Sequence, residues 1–240
     1  RLEKYTETAM GLRPDILATK RHTIIWSPPG AGKTFTANQV IENNNVEVLK
    51  IHGASTINAF MVKLATVAYK NQGKDFSVWM DDCDSFFSRG SGDIDNLNIV
   101  KGILDDEREP DGNGKGGLLQ YNVDVTRTIA SARLAAENNS AKVITADALE
   151  HFRDPDGMGV SIPMNNIQFF WTTNKNLATK KEAFTPNRNG QLNQIKVDEH
   201  AIRDRVSWRK FDIDKDESWG WMASVMLSND VFSKDQGMQG

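Results

Sequence analysis

The chain has 240 residues, 39% of them hydrophobic and 25% charged, with 29 basic against 32 acidic side chains for a formal charge of −3. That length holds one α/β domain with a sizeable core and a small appendage, and the charge balance argues against a surface built broadly for polyanions. The single cysteine, Cys83, excludes an intramolecular disulfide framework, and no apolar run approaches the roughly 18 residues a membrane span requires.

The chain opens at Arg1, with no charged-then-apolar signal segment. The expectation is a cytosolic protein, given whole or as a fragment. After an N-terminal segment, 1–21, "HTIIW" (22–26) is a short β-branched run halted by Ser27-Pro28-Pro29-Gly30, as a buried strand entering a turn would be. "KTFTANQVIENNN" lacks Pro and Gly and predicts a helix. "VEVLKIHG" (46–53) predicts a second strand, and Ile57, Phe60, Met61, Leu64, Val67 and Ala68 follow at helical spacing as far as Gly73.

"FSVWMDD" (76–82) predicts a buried strand that ends in acids, and 93–107 a helix. "DGNGKGG" reads as a hairpin loop before the short strand "LLQYNV", and 126–139 as a helix. After a loop at 154–159, "NIQFFWTTN" (166–174) is another strong strand. A helix at 198–206, the strand "WRKFDI" (208–213) and a last helix around 216–228 complete the series. Strands alternating with helices predict a parallel sheet covered on both faces. Lys20-Arg21-His22 and Lys180-Lys181 read as solvated surface, and the four histidines show no metal spacing with Cys83 or one another.

In an open parallel sheet, ligands bind beyond the carboxyl ends of the strands. Residues 27–34 occupy such an end, between a strand and a helix. Pro29, Gly30, Ala31, Gly32, Lys33, Thr34 and Phe35 would cradle phosphates with backbone N–H groups at a helix start. Lys33 would reach the β- and γ-phosphates of ATP, and the Thr34 hydroxyl would ligate Mg2+. Ser27 stands where G-x-x-x-x-G-K-[ST] has its first glycine, and Pro28-Pro29 stiffen that turn. Asp81, delivered to the sheet edge, would hold Mg2+. Asp82 would polarise the attacking water, with Asp84 an outside candidate for that role.

"PPGAGKT", "WMDDCDS", "FFWTTN" and "AIRDRV" together resemble the AAA+ ATPases, falling in that family's order for Walker A, Walker B, sensor 1 and the arginine-finger helix. The resemblance spans roughly residues 20–213, and "DDCDSFFS…NLNIVKGILDD" looks most like members encoded by bacteriophages. It implies an α/β P-loop NTPase of AAA+ type that hydrolyses ATP with Mg2+, and the phage likeness implies the cytoplasm of a phage-infected host. Asn174 is then the sensor 1 residue. Arg205 is the finger offered to a neighbouring subunit, with Arg203 as the fallback and Arg209 less well sited. The family assembles as rings or arcs with shared sites. The expected core is 22–213 with an insertion at about 107–163, and 214–240 supplies a C-terminal helix and at most a rudimentary lid.

The family's acid after Asp81 is usually Glu, one methylene longer than Asp82. Viral superfamily 3 helicases share the core and remain the nearest rival. Phe60-Met61 lies near the place of a pore loop, although its helical spacing favours core. Trp79 and Trp171 read as packing. The implied task is work on phage DNA in replication, recombination or packaging, although charge shows no DNA surface. A protein-remodelling motor and a slow ATP-binding assembly factor are the alternatives.

Overall fold

The structure, a computed structural model, describes residues 2–10, 22–45, 47–53, 56–72, 74–87, 95–104, 117–122, 124–136, 140–157 and 159–211. After helix α1 (Leu2–Ala9), strand β1 (Thr23–Trp26) delivers the chain to a glycine-containing turn and α2 (Lys33–Asn44). Strand β2 (Val48–His52) leads to α3 (Ile57–Lys70), whose N-cap Thr56 accepts a hydrogen bond from the Ala59 amide. The strongest apolar runs form β3 (Phe76–Asp81) and β6 (Ile167–Thr173). A 3₁₀ turn at Asp84–Phe87 and α4 (Asp95–Leu104) follow β3.

Strand β7 (Ser207–Lys210) completes a five-stranded sheet in the order β2-β3-β6-β1-β7, with every pairing parallel. β3 and β6 lie inside the sheet and are buried along nearly their whole length, which is why they read as continuous apolar runs. Alternation along the strands divides the interior in two. Ile24, Val78, Met80, Phe169 and Trp171 face the core shared with α3 and α4. Ile25, Trp79 and Phe170 face Ala37 and Val40 of α2 and Leu2 of α1. Both faces are therefore covered by helices. Phe60 and Met61 are buried core residues of α3, so the place considered for a pore loop is packing.

Between α4 and β6 stands a second unit. β4 (Leu118–Asn122) and β5 (Gly159–Pro163) pair antiparallel, enclosing helices α5 (Val125–Ala136) and α6 (Ser140–His151). Ile129, Ala132, Ala146 and Leu149 extend the core from these helices. Neither α6 nor β5 was expected. Val143 of α6 is exposed, so its buried stripe is narrow, and β5 is a short strand outside the main sheet, paired with β4 and bridged to Arg153.

The short helix α7 (Lys180–Ala183) precedes α8 (Gln194–Arg205). α8 starts four residues before the expected Asp198, because Asn193 caps it by accepting from the Ile195 amide at 3.0 Å. The expected helix at 216–228, the rudimentary lid and the "DGNGKGG" loop lie wholly or almost wholly outside the described residues. Among the described residues no helix is long and apolar enough to cross a membrane.

Candidate active site

The parallel register brings one row of residues to the carboxyl edge of the sheet: His52 opposite Asp81, Asp81 opposite Thr172, and Thr172 opposite Ile25. The turn after β1 lies at this edge. Gly30 and Gly32 take φ of 78° and 73°, left-handed values that residues with a Cβ adopt at a cost. Gly32 is the N-cap of α2 and has no side chain with which to cap it, so backbone amides open the helix. Such an end attracts anions. Pro29 and Gly30 are exposed, Ala31 is buried, and Thr34 and Phe35 are half-buried on the first turn of α2.

Lys33 is buried, and its Nζ donates among four acceptors. These are the Ser27 carbonyl and hydroxyl at 3.0 Å each, the Pro28 carbonyl at 3.2 Å and Asn174 Oδ1 at 2.8 Å. Burial pushes the ammonium below its ordinary pKa, against the opposing pull of Asp82, Asp84 and Asp81. Ser27, which replaces a glycine of the motif, thus gives Lys33 two of its acceptors.

Asp81 is fully buried and meets three donors. Thr34 Oγ1 and Thr172 Oγ1 donate to Oδ1 at 2.9 and 2.7 Å, and His52 Nδ1 lies 3.0 Å from Oδ2. The buried indole of Trp79 donates in turn to Thr172 Oγ1 at 3.0 Å. Thr34 Oγ1 and Asp81 Oδ1 are hard oxygens spaced like adjacent corners of an octahedron with arms of about 2.1 Å, the coordination Mg2+ demands. Among the described residues no group of three or more His, Cys, Asp or Glu could hold a metal by itself. A site drawing on one hydroxyl, one carboxylate and phosphate oxygens needs no such group.

Asp82 is exposed, with φ of 52°, and its amide donates to the Thr172 carbonyl at 3.2 Å. Asn174 joins the two halves of the site. Its Nδ2 donates to Asp82 Oδ1 at 3.0 Å while its Oδ1 accepts from Lys33. Its own carbonyl is fixed by Trp26 Nε1 at 3.2 Å. Asp84 is engaged by the hydroxyl of Thr173, next to Asn174 in the chain. The Cys83 thiol beside these acids is pushed up to about 12 by burial and by the charges of Asp81, Asp84 and Asp82.

Arg205 stands apart from this cluster. It ends α8, its guanidinium donating to the Ala201 carbonyl at 2.9 Å, and the next strand begins with Ser207 opposite Thr23. It therefore lies at the amino edge of the sheet, about three strand residues, or 10 Å, from the edge that carries Asp81. Arg203 is committed within its own chain, to the Leu177 carbonyl at 3.0 Å and to the face of Trp208 at 4.8 Å. Arg209 is half-buried within β7.

His52, Thr172 and Ser27 were not among the expected site residues. A polar residue closing an apolar strand was the available signal for His52 and Thr172, but only register places them beside Asp81.

Residues 23–119 match the family model described as "ATPase family associated with various cellular activities (AAA)". No curated protein matches the chain. With the parallel sheet and its covering helices, that match gives an α/β P-loop NTPase fold. The protein is an ATPase, with ATP as its nucleotide and Mg2+ as its metal.

Proposed function

We propose that this ATPase works as an oligomer in which Arg205 of one subunit completes the nucleotide site of the next. The observation that supports this is the position of Arg205 at the end of α8, just before β7 begins at the amino edge of the sheet and away from its own phosphate loop. Lys33 exchanges the Ser27 and Pro28 oxygens for those of the β- and γ-phosphates. Thr34 and Asp81 hold Mg2+, which neutralises charge on those phosphates. Asp82 accepts a proton from the attacking water as its oxygen bonds to the γ-phosphorus and the bridging oxygen leaves with ADP. Asn174 orients that water between Asp82 and Lys33. Arg205 stabilises the charge on the transferring group from across the subunit boundary.

Residues of about 107–163 are an insertion in a 22–213 core, flanked by an N-terminal segment, 1–21, and a partial lid at 214–240. The work is done on DNA, in replication, recombination or packaging inside a phage-infected bacterium. That part rests on the resemblance of 81–106 to phage-encoded ATPases. The burial of Phe60 and Met61 weighs against threading of a protein substrate by that segment.

Mixing tests the shared site. Lys33→Ala and Arg205→Ala are each expected to be inactive alone. Together they should recover hydrolysis, because the intact Arg205 of the first variant enters the intact loop of the second. Recovery that grows with protein concentration, and rises further with DNA, supports the proposal. An Arg205→Ala protein as active as the wild type refutes the trans role. ATP retained without turnover by the wild type points instead to an ATP-held assembly factor.

A further inference from the structure

Asp81 is the acid assigned to Mg2+ above, and its two oxygens are held in different ways. Oδ1 receives the hydroxyls of Thr34 and Thr172, whereas Oδ2 faces His52 Nδ1 at 3.0 Å. The carboxylate is fully buried, while the His52 side chain is 62% exposed at the end of the edge strand β2. A carboxylate oxygen only accepts, so the imidazole carries its proton on Nδ1. The backbone fixes the pair as well: His52 lies opposite Asp81 in register, and the Gly53 amide donates to the Asp81 carbonyl at 2.9 Å.

We infer that His52 is a positioning residue for the metal: by holding Oδ2 it sets the plane of the carboxylate, so that Oδ1 stays beside Thr34 as a metal-facing oxygen. The inference rests on the assignment of Asp81 to Mg2+. The Asp81 partner of His52 is fully buried, so the contact also contributes to stability, and dependence on Mg2+ is what separates positioning from folding. Partners behind metal ligands typically change metal affinity about 10–100-fold when removed. Without His52 the carboxylate is held only through Oδ1, by the Thr34 and Thr172 hydroxyls, and its plane is less firmly set. Asn at this position offers an amide N–H close to where Nδ1 stood, so it restores the contact without the ring.

The test uses the full chain at one pH with a fluorescent ATP analogue, titrated in EDTA and then with Mg2+, beside steady-state hydrolysis. For His52→Ala the half-saturating Mg2+ is expected to rise about 10–100-fold. His52→Asn should stay within about threefold of wild type. Metal-free ATP affinity should be unchanged in both, while the loss of a donor to a buried carboxylate lowers the melting temperature of His52→Ala and not that of His52→Asn. Two results overturn the inference. One is unaltered Mg2+ half-saturation in His52→Ala when Asp81→Asn raises it. The other is equal loss of metal-free ATP binding in both His52 variants, which marks a merely structural residue. If Asp81→Asn itself leaves the Mg2+ dependence unmoved, the assignment of Asp81 fails and this inference falls with it.

Discussion

Replacing Thr172 with valine tests the support beneath the buried acid. The Thr172 hydroxyl donates to Asp81 Oδ1 at 2.7 Å and accepts from Trp79 Nε1 at 3.0 Å, and all three side chains are buried. Valine keeps the shape but can make neither bond. A hydrogen bond to a charged group contributes about 1.5–3 kcal/mol, and leaving an indole N–H orphaned in the interior costs about 1–3 kcal/mol. The added methyl returns roughly 0.8 kcal/mol of burial, for a net loss of about 3 kcal/mol. For a domain of this size each kcal/mol moves the melting temperature by about 2–4 °C, so the midpoint should fall by about 6–12 °C. Thr172→Ser keeps both bonds and deletes one methyl, for a loss of about 1 kcal/mol. The assay is thermal unfolding followed by circular dichroism in EDTA without nucleotide. A valine variant that melts within 2 °C of wild type, or above the serine variant, refutes the reasoning, because packing alone would favour valine.

Three further expectations come from the same geometry. Asn174→Ala removes the group that joins Lys33 to Asp82, so kcat should fall about 10²–10³-fold, with ATP affinity kept within about threefold in equilibrium binding; an unchanged kcat refutes its role. With the Cys83 thiol pushed up to about 12, its thiolate fraction at pH 8 is about 10⁻⁴. Iodoacetamide should therefore leave folded protein unmodified from pH 7 to 9 and label it fully in guanidinium, and intact-mass measurement showing native labelling at free-cysteine rates contradicts this. A Cβ on Gly159 would lie 2.5 Å from the Tyr121 carbonyl of the facing strand and 2.7 Å from Asp154 Oδ2. Gly159→Ala should thus destabilise the chain by about 1–3 kcal/mol in urea titration, with ATP hydrolysis by the folded fraction intact.

What could be read in the sequence is what depends on local chemistry. Lys33 and Thr34 follow glycines whose positive φ the loop requires, and β3 and β6 are apolar because they are buried on both faces. Residues whose role comes from strand register could not be read this way. Nothing in "VLKIHG" says that His52 will lie opposite Asp81, or that Thr172 rather than Thr173 will meet its carboxylate. Trp79 was legible by half: its ring is packed as expected, yet its N–H belongs to the site's hydrogen-bond chain. α6 was missed because its amphipathic stripe is narrow, and the start of α8 because Asn193 rather than an acidic residue caps it.

The aspartate at position 82, where a glutamate was to be expected, follows from the backbone around it. Had β3 continued straight, residue 82 would project to the face opposite Asp81, since successive strand side chains alternate. The chain instead turns left-handed there, with φ of 52°, and the turn is pinned by the Asp82 amide on the Thr172 carbonyl. Aspartate is among the few residues with a Cβ that enter this region readily, whereas longer side chains pay more for it. The turn brings the short carboxylate to Asn174 Nδ2 at 3.0 Å, and Asn174 reaches Lys33 with its other atom. Reach lost with one methylene is thereby recovered through Asn174, which carries the line from the proposed base to Lys33, the lysine proposed to bind phosphate. The acid, the left-handed turn and the asparagine form one arrangement.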